Sequence, residues 1–338
     1  MRTFTLYIFL LFTVLFTACT NELPFDVKAN PPKLVMNALM NADSLTNYVY
    51  LSLTGKDKIG KVTDASIEIR INGELKETLR PVINYENDIQ CKFVVKSRFH
   101  PGDEVRIDAY TDDKQYHAWA ETIVPHPIDK IEQIDTATVV LKTLYNTTAC
   151  LKFKIKMSDR KNEKNFYRLI VETQNTITTN LQGRLETRYY TNQKIVTRED
   201  VVLTDGKPST VDDEENGLFA SVENKYGVFN DTRFKDASHT FTVYSLPSDV
   251  SLLFKIHQKI DIAVRILSIT EKEYYYLKAL NLFQSDNYDP KMSEPIKFPS
   301  NVQGGTGIVS ISSEVGEIIH ILEKDFELEP DSESPYTK

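Results

Sequence analysis

Three cysteines in 338 residues cannot staple a fold, so a disulfide scaffold is excluded. Twelve glycines and 14 prolines exclude collagen-like and low-complexity readings. Lys and Arg number 40 against 48 Asp and Glu, a formal charge of −8, which excludes a uniformly basic nucleic-acid surface. No apolar run reaches the ~20 residues that a membrane helix needs. Only Trp119 is tryptophan, so a glycan platform built on exposed indoles is not favoured, although tyrosine can stand in. Walker A, G-x-S-x-G and G-x-G-x-x-G patterns are all absent, and Gly304-Gly305-Thr306-Gly307 is a turn without the Lys that grips a phosphate. No catalytic, metal or cofactor site is expected, and the chain is not read as an enzyme.

The N-terminus carries the strongest signal. Arg2 precedes an apolar stretch from Leu6 to Phe16, and Thr17-Ala18-Cys19 follows. Positive start, short apolar segment and small residues make a secretory signal. Small-small-Cys at that place resembles the lipobox of bacterial lipoproteins, with Phe16 where the pattern usually has Leu. The resemblance makes residues 1–18 a lipoprotein signal peptide and Cys19 the lipidation site. It implies diacylglyceryl and palmitate-type chains, and more than one chain makes attachment stable. An ordinary cleaved signal with a coincidental Cys is the alternative. Thr20 replaces the Asp that retains lipoproteins in the inner membrane. Cys19-Thr20-Asn21-Glu22 also resembles a short acidic surface-export tag, so the expectation is an outer-membrane, lipid-anchored protein, outward rather than periplasm-facing.

Residues 19–32 read as a tether, polar and ending in Asn30-Pro31-Pro32. Period-two runs follow: Lys33–Met40, Asn47–Thr54, Ala65–Ile71, Cys91–Val95, Val105–Tyr110 and Ala118–Val124. Asn72-Gly73 is a type I′ hairpin signal. Roughly seven strands in about 95 residues predict an immunoglobulin-like β-sandwich over 33–127. A second, β-rich domain is expected over 128–322. Leu151, Phe153, Ile155 and Met157 alternate with lysines there, and Phe166–Thr173 and Arg184–Thr191 read as strands. Ser251–His257 and Ile260–Leu267 read as a hairpin turning at Gln258-Lys259. Ile308–Ile311 and Glu317–Leu322 read as two further strands. The fold class is therefore mainly β, with one amphipathic helix near 270–284. Thr270-x-x-Glu273 fits a capping box, and Tyr276, Leu280 and Phe283 form its apolar stripe. Tyr274-Tyr275-Tyr276 wraps most of the helix, so at least one ring should face away from the core. An acidic tail occupies 323–338.

Candidate chemistry is sparse. His100, His117, His126, His239, His257 and His320 lack any H-x-H or H-x-x-x-H spacing, so each reads as a packed or surface histidine. Cys91 shares a face with Phe93 and Val95 and reads as a buried thiol, while Cys150 lies on the lysine face of its strand and reads as partly exposed. A Cys91–Cys150 bridge stays open. The loop with Asp205, Asp212, Asp213, Glu214 and Glu215 lacks the D-x-D-x-D-G order and reads as solvated charge, with Ca²⁺ left open.

Taken together, the chain resembles the Bacteroidota lipoproteins catalogued as domain of unknown function 4249. The residues that match are Cys19, Lys33-Leu34-Val35 with Asn37, Tyr50-Leu51-Ser52-Leu53-Thr54 and Asp64-Ala65-Ser66-Ile67-Glu68-Ile69. Phe99-His100-Pro101-Gly102-Asp103-Glu104, Ile266-Leu267-Ser268-Ile269 and Tyr274-Tyr275-Tyr276-Leu277-Lys278 continue it. Glu294-Pro295, Ser300-Asn301-Val302, Gly304 and Gly307-Ile308 complete it. The resemblance implies an outer-membrane lipoprotein, often encoded beside a TonB-dependent transporter, with no established enzymatic role. The expected function is thus a non-catalytic accessory of such a transporter, capturing an unknown small ligand or covering the pore. A surface scaffold or adhesin, and a hydrolase assembled from scattered acids and histidines, are the alternatives.

Overall fold

The computed structural model describes residues 31–326 except 56–58, 61, 63, 83–90, 143–146, 182, 194, 210–221, 247–254 and 286–287. Cys19, most of the tether, the tail from 327 and the acids 212–215 lie outside the described residues.

Alternation of apolar and polar residues builds the N-terminal sandwich. Its first sheet carries β1 (Leu34–Asn41), β2 (Asn47–Leu53) and β5 (Cys91–Val95). The second has the order β4-β3-β6-β7, with β3 at Ala65–Ile71, β4 at Glu74–Leu79, β6 at Glu104–Thr111 and β7 at His117–Ile123. Asn72 and Gly73, at φ 52° and 82°, turn β3 into β4 as a type I′ hairpin must. This three-plus-four division is the arrangement of an immunoglobulin-like sandwich. Val49, Leu51, Phe93, Ile67, Ile69 and Ile107 fill its core without measurable exposure. Each such side chain contributes about 1.5–3 kcal/mol by leaving water.

Beyond residue 127 come β8 (Ile131–Lys142), β9 (Thr147–Ser158), β10 (Phe166–Leu181), β11 (Arg184–Asn192) and the short β12 (Ile195–Val196) and β13 (Val228–Asn230). They are followed by β14 (Ser238–Ser245), β15 (Lys255–Ser268), α1 (Glu271–Phe283) and β16 (Gly305–Asp325). A four-stranded sheet, β12-β14-β9-β8, faces the β11-β10-β15-β16 strands. Phe153, Phe229, Phe241 and Tyr167 are buried between them.

One strand joins the two layers of the chain. β16 lies parallel to β1 from Leu34↔Gly305 to Asn41↔Ser312, then runs antiparallel to β15 from Ser313 to Asp325. A single eight-stranded sheet therefore crosses from one sandwich to the other. Gly307 permits the parallel contact: its φ is 116°, and a Cβ there would lie 2.1 Å from the Met36 carbonyl oxygen.

Several expectations need correction. Gln258-Lys259 is not a turn, because β15 is continuous through it and both residues stay paired with β10 and β16. Ile308–Ile311 and Glu317–Leu322 are parts of one 21-residue strand, which extends into the expected tail as far as Asp325. The helix buries Glu273, Tyr274, Leu277 and Asn281 most deeply. Of the expected stripe, Tyr276 and Leu280 pack half-buried against the same cluster and Phe283 is exposed. Phe298 also meets Tyr276 and Phe283, at ring distances of 5.6 and 5.8 Å. Tyr275 is the outward ring of the three. Only half of the capping box forms: Thr270 Oγ1 accepts from the Glu273 N–H at 3.2 Å, but the Glu273 carboxylate takes Ser310 as its donor.

Candidate functional site

The outward residues of β1 and β2 mix polar and aromatic side chains with Val35 and Leu39, where the inward ones are almost all apolar. Asn37, Leu39 and Asn41 project from β1, and Tyr48 and Tyr50 from β2. Where β16 leaves β1 for β15, Glu314 and Arg265 rise opposite them. Together they line a groove of about 610 Å³ on the outer side of the shared sheet. Such seams between layers are a common place for small-molecule sites.

Asn amides and carboxylates set the groove's shape. Asn41 Nδ2 donates to Glu314 Oε2 at 2.7 Å, and Asp43 Oδ2 accepts from the Glu314 N–H at 2.8 Å. The Asn47 side chain bridges both backbone groups of Asn41, at 2.9 Å each way. Lys92 stands over the Tyr48 ring at 3.9 Å. Arg265 is the unusual member. Its stem lies across Gly316, where a Cβ would approach Arg265 Cγ to 2.9 Å. Its terminal nitrogens sit 3.5 Å from Glu172 and 3.7 Å from Glu314, longer than good hydrogen bonds, and its buried Nε has no partner. A guanidinium with unused donors beside Asn amides and Tyr hydroxyls offers donors and acceptors together, which suits a polar ligand.

A second cluster lies on the outer face of β6 and β7. Asp108 is buried there although its neighbours along the strand, Arg106 and Tyr110, point to solvent. Arg106 grips it with two bonds, of 2.7 and 3.0 Å, and His117 Nε2 lies at 3.0 Å. Burial pushes the Asp108 carboxyl up, but these partners outweigh it and hold the group below the usual range. Arg106 also stacks on Trp119 at 4.2 Å, and His117 on Tyr110 at 4.4 Å. His117 and Trp119 thus share a face, as their parity indicates, but the pair braces a carboxylate.

The histidines follow one rule. His100, His117, His239, His257 and His320 each lie within 3.6 Å of an aspartate, which for His100 is Asp103 in its own turn and for the other four comes from another strand or turn. Among the described residues, no three His, Cys, Asp or Glu side chains converge as a metal site. Cys91 is buried as expected. Cys150 is buried too, contrary to its place on the lysine face, because it packs with Leu141 and Tyr244. No disulfide joins the two. Asp205, at the start of the acidic loop, binds Lys278 of α1.

None of the groove residues stands out in the sequence as a site residue; alternation along β1 and β2 is the signal that marks Asn37, Asn41, Tyr48 and Tyr50 as outward. Their meeting with β16 carries no such signal, since Asn41 and Glu314 are 273 residues apart. Among the described residues no helix is long and apolar enough to cross a membrane. The profile of the family described as Domain of unknown function (DUF4249) matches residues 20–317. No curated protein matches the chain.

Proposed function

This chain belongs to the DUF4249 family, and from that premise we propose that it is an outer-membrane lipoprotein. Anchored through Cys19, it serves a TonB-dependent transporter as a non-catalytic accessory and captures a small polar ligand in the groove between Tyr48, Asn41 and Arg265. The observation that carries this reading is Cys19 itself, placed directly after a short apolar segment and small residues and before a polar tether. The groove supports capture over pore covering, because it gathers unused donors at a layer seam.

Physically, the anchor acts through concentration. A 19–32 tether behaving as a coil reaches about 20 Å, which holds the groove near its channel at about millimolar effective concentration. Weak contacts then suffice, and Arg265 needs only to exchange its two long carboxylate contacts for shorter bonds to a ligand. Affinity purification from native envelopes tests the reading: a co-purifying TonB-dependent transporter supports it, and none in the intact-membrane eluate contradicts it. A scaffold or adhesin would leave Arg265→Met indistinguishable from wild type in ligand retention measured by native mass spectrometry.

A further inference from the structure

The second half of β16 has a partner on one side only. β15 pairs with it from Ser313 to Asp325, whereas β1 stops at Ser312. Just past that point the opposite side is closed by the β1–β2 turn: Ala42 N–H donates to the Ser312 carbonyl, and Glu314 N–H donates to Asp43. Backbone groups alternate sides along a strand. Ser312 and Glu314 therefore point away from β15, and Gly316 and Ile318 do the same. Among the described residues no hydrogen bond reaches that side of Val315–Asp325. β8 touches β16 but pairs only with β9. At about 3.3 Å per residue the open length is about 35 Å.

We propose that this open edge of β16 is a docking site for an extended, basic strand of a partner protein, which pairs with the Gly316 and Ile318 backbone by strand addition. Unpaired strand edges template such pairing. Charge selects the occupant. On β16, Glu314, Glu317, Glu323 and Asp325 outnumber the single base Lys324. Glu314 is bonded to Asn41, and Glu323 and Asp325 lie against His257, but the excess is still acidic, so a second copy of the same edge would meet its own carboxylates. A Lys-bearing strand would be attracted, and Ile318, 72% exposed, offers it an apolar contact. The edge begins beside the groove, where Arg265 lies across Gly316, but pairing along its backbone needs no ligand there and stands without that reading.

The probe is a short capped peptide in which Val alternates with Lys and Thr, and its counterpart carries Glu in place of Lys. Added to the full chain, the basic peptide should slow exchange of the Gly316 and Ile318 amides roughly tenfold or more, and the acidic one should not. Ile318→Pro removes one open-side N–H without touching the β15 ladder, and should weaken binding roughly tenfold. Glu317→Lys, which carries no folding risk on an exposed side chain, should weaken it similarly. Unchanged exchange with the basic peptide, equal protection by the acidic one, or a peptide-free dimer protected at β16 would each overturn the proposal.

Discussion

Ser310 Oγ donates to Glu273 Oε2 at 2.6 Å, which fastens the first turn of α1 to the strand that both sandwiches share. Thr270 Oγ1 lies 2.9 Å from the same hydroxyl, so the helix cap and the strand form one network. Burial pushes the Glu273 carboxyl above its ordinary 4.5, opposed by the Ser310 bond and the Arg168 charge. A folded-state pKa above the unfolded one means that this group favours the fold most at low pH. That contribution is lost as pH rises from 4.5 through the raised value. Glu273→Gln keeps an acceptor for Ser310 and removes the titration. Its thermal midpoint should show a flatter fall with rising pH than wild type, whereas Glu273→Ala should lose about 1–3 kcal/mol at low pH and less as pH rises.

Asp108 has the opposite sign. Its lowered pKa adds stability above the unfolded value near 3.8, which is lost as pH falls through the folded value. Asp108→Asn leaves Arg106 and His117 without their charge partner and should cost about 1–3 kcal/mol in urea unfolding at neutral pH. Below that window the two proteins should converge. A constant difference across the acid range would refute the assignment.

Gly307 and Gly183 separate crowding from backbone conformation. Both have positive φ, but a Cβ at Gly307 meets the Met36 carbonyl, and one at Gly183 meets nothing within 4 Å. Gly307→Ala should cost about 2–4 kcal/mol, and Gly183→Ala about 1 kcal/mol. Equal costs by differential scanning fluorimetry would mean that the β1–β16 contact yields more easily than its geometry indicates.

The two described cysteines should behave as buried thiols. Burial raises the Cys150 thiol further. An aromatic disulfide reagent should leave both unmodified in the folded chain and label both after denaturation without reductant. Absence of label in the denatured chain would mean a bridge.

Local order was readable and long-range order was not. Ile67, Ile69 and Ile71 alternate with charges, so β3 and its hairpin followed from burial of one face. β16 was read as two strands because its burial changes as its neighbour changes, from β1 to β15, and no local pattern encodes that handover. Gln258-Lys259 resembled a turn because both its residues are polar, yet Gln258 is buried and its amide donates to Asn175 at 3.0 Å. The helix face is rotated from the one its apolar stripe indicates: Tyr274 and Leu277 are deepest, and Phe298, from the irregular segment that follows the helix, meets Tyr276 and Phe283. Asn37, Asn41, Tyr48 and Tyr50 were legible as outward positions, whereas Arg265 and Glu314 join them only through the parallel pairing.

The central claim is a lipid-moored body, and the N-terminal peptide decides it. Intact mass and fragment spectra of the protein extracted from its native envelope should place the new terminus at Cys19 with diacylglyceryl and acyl mass added. A terminus elsewhere, or Cys19 carrying an unmodified thiol, would contradict the account.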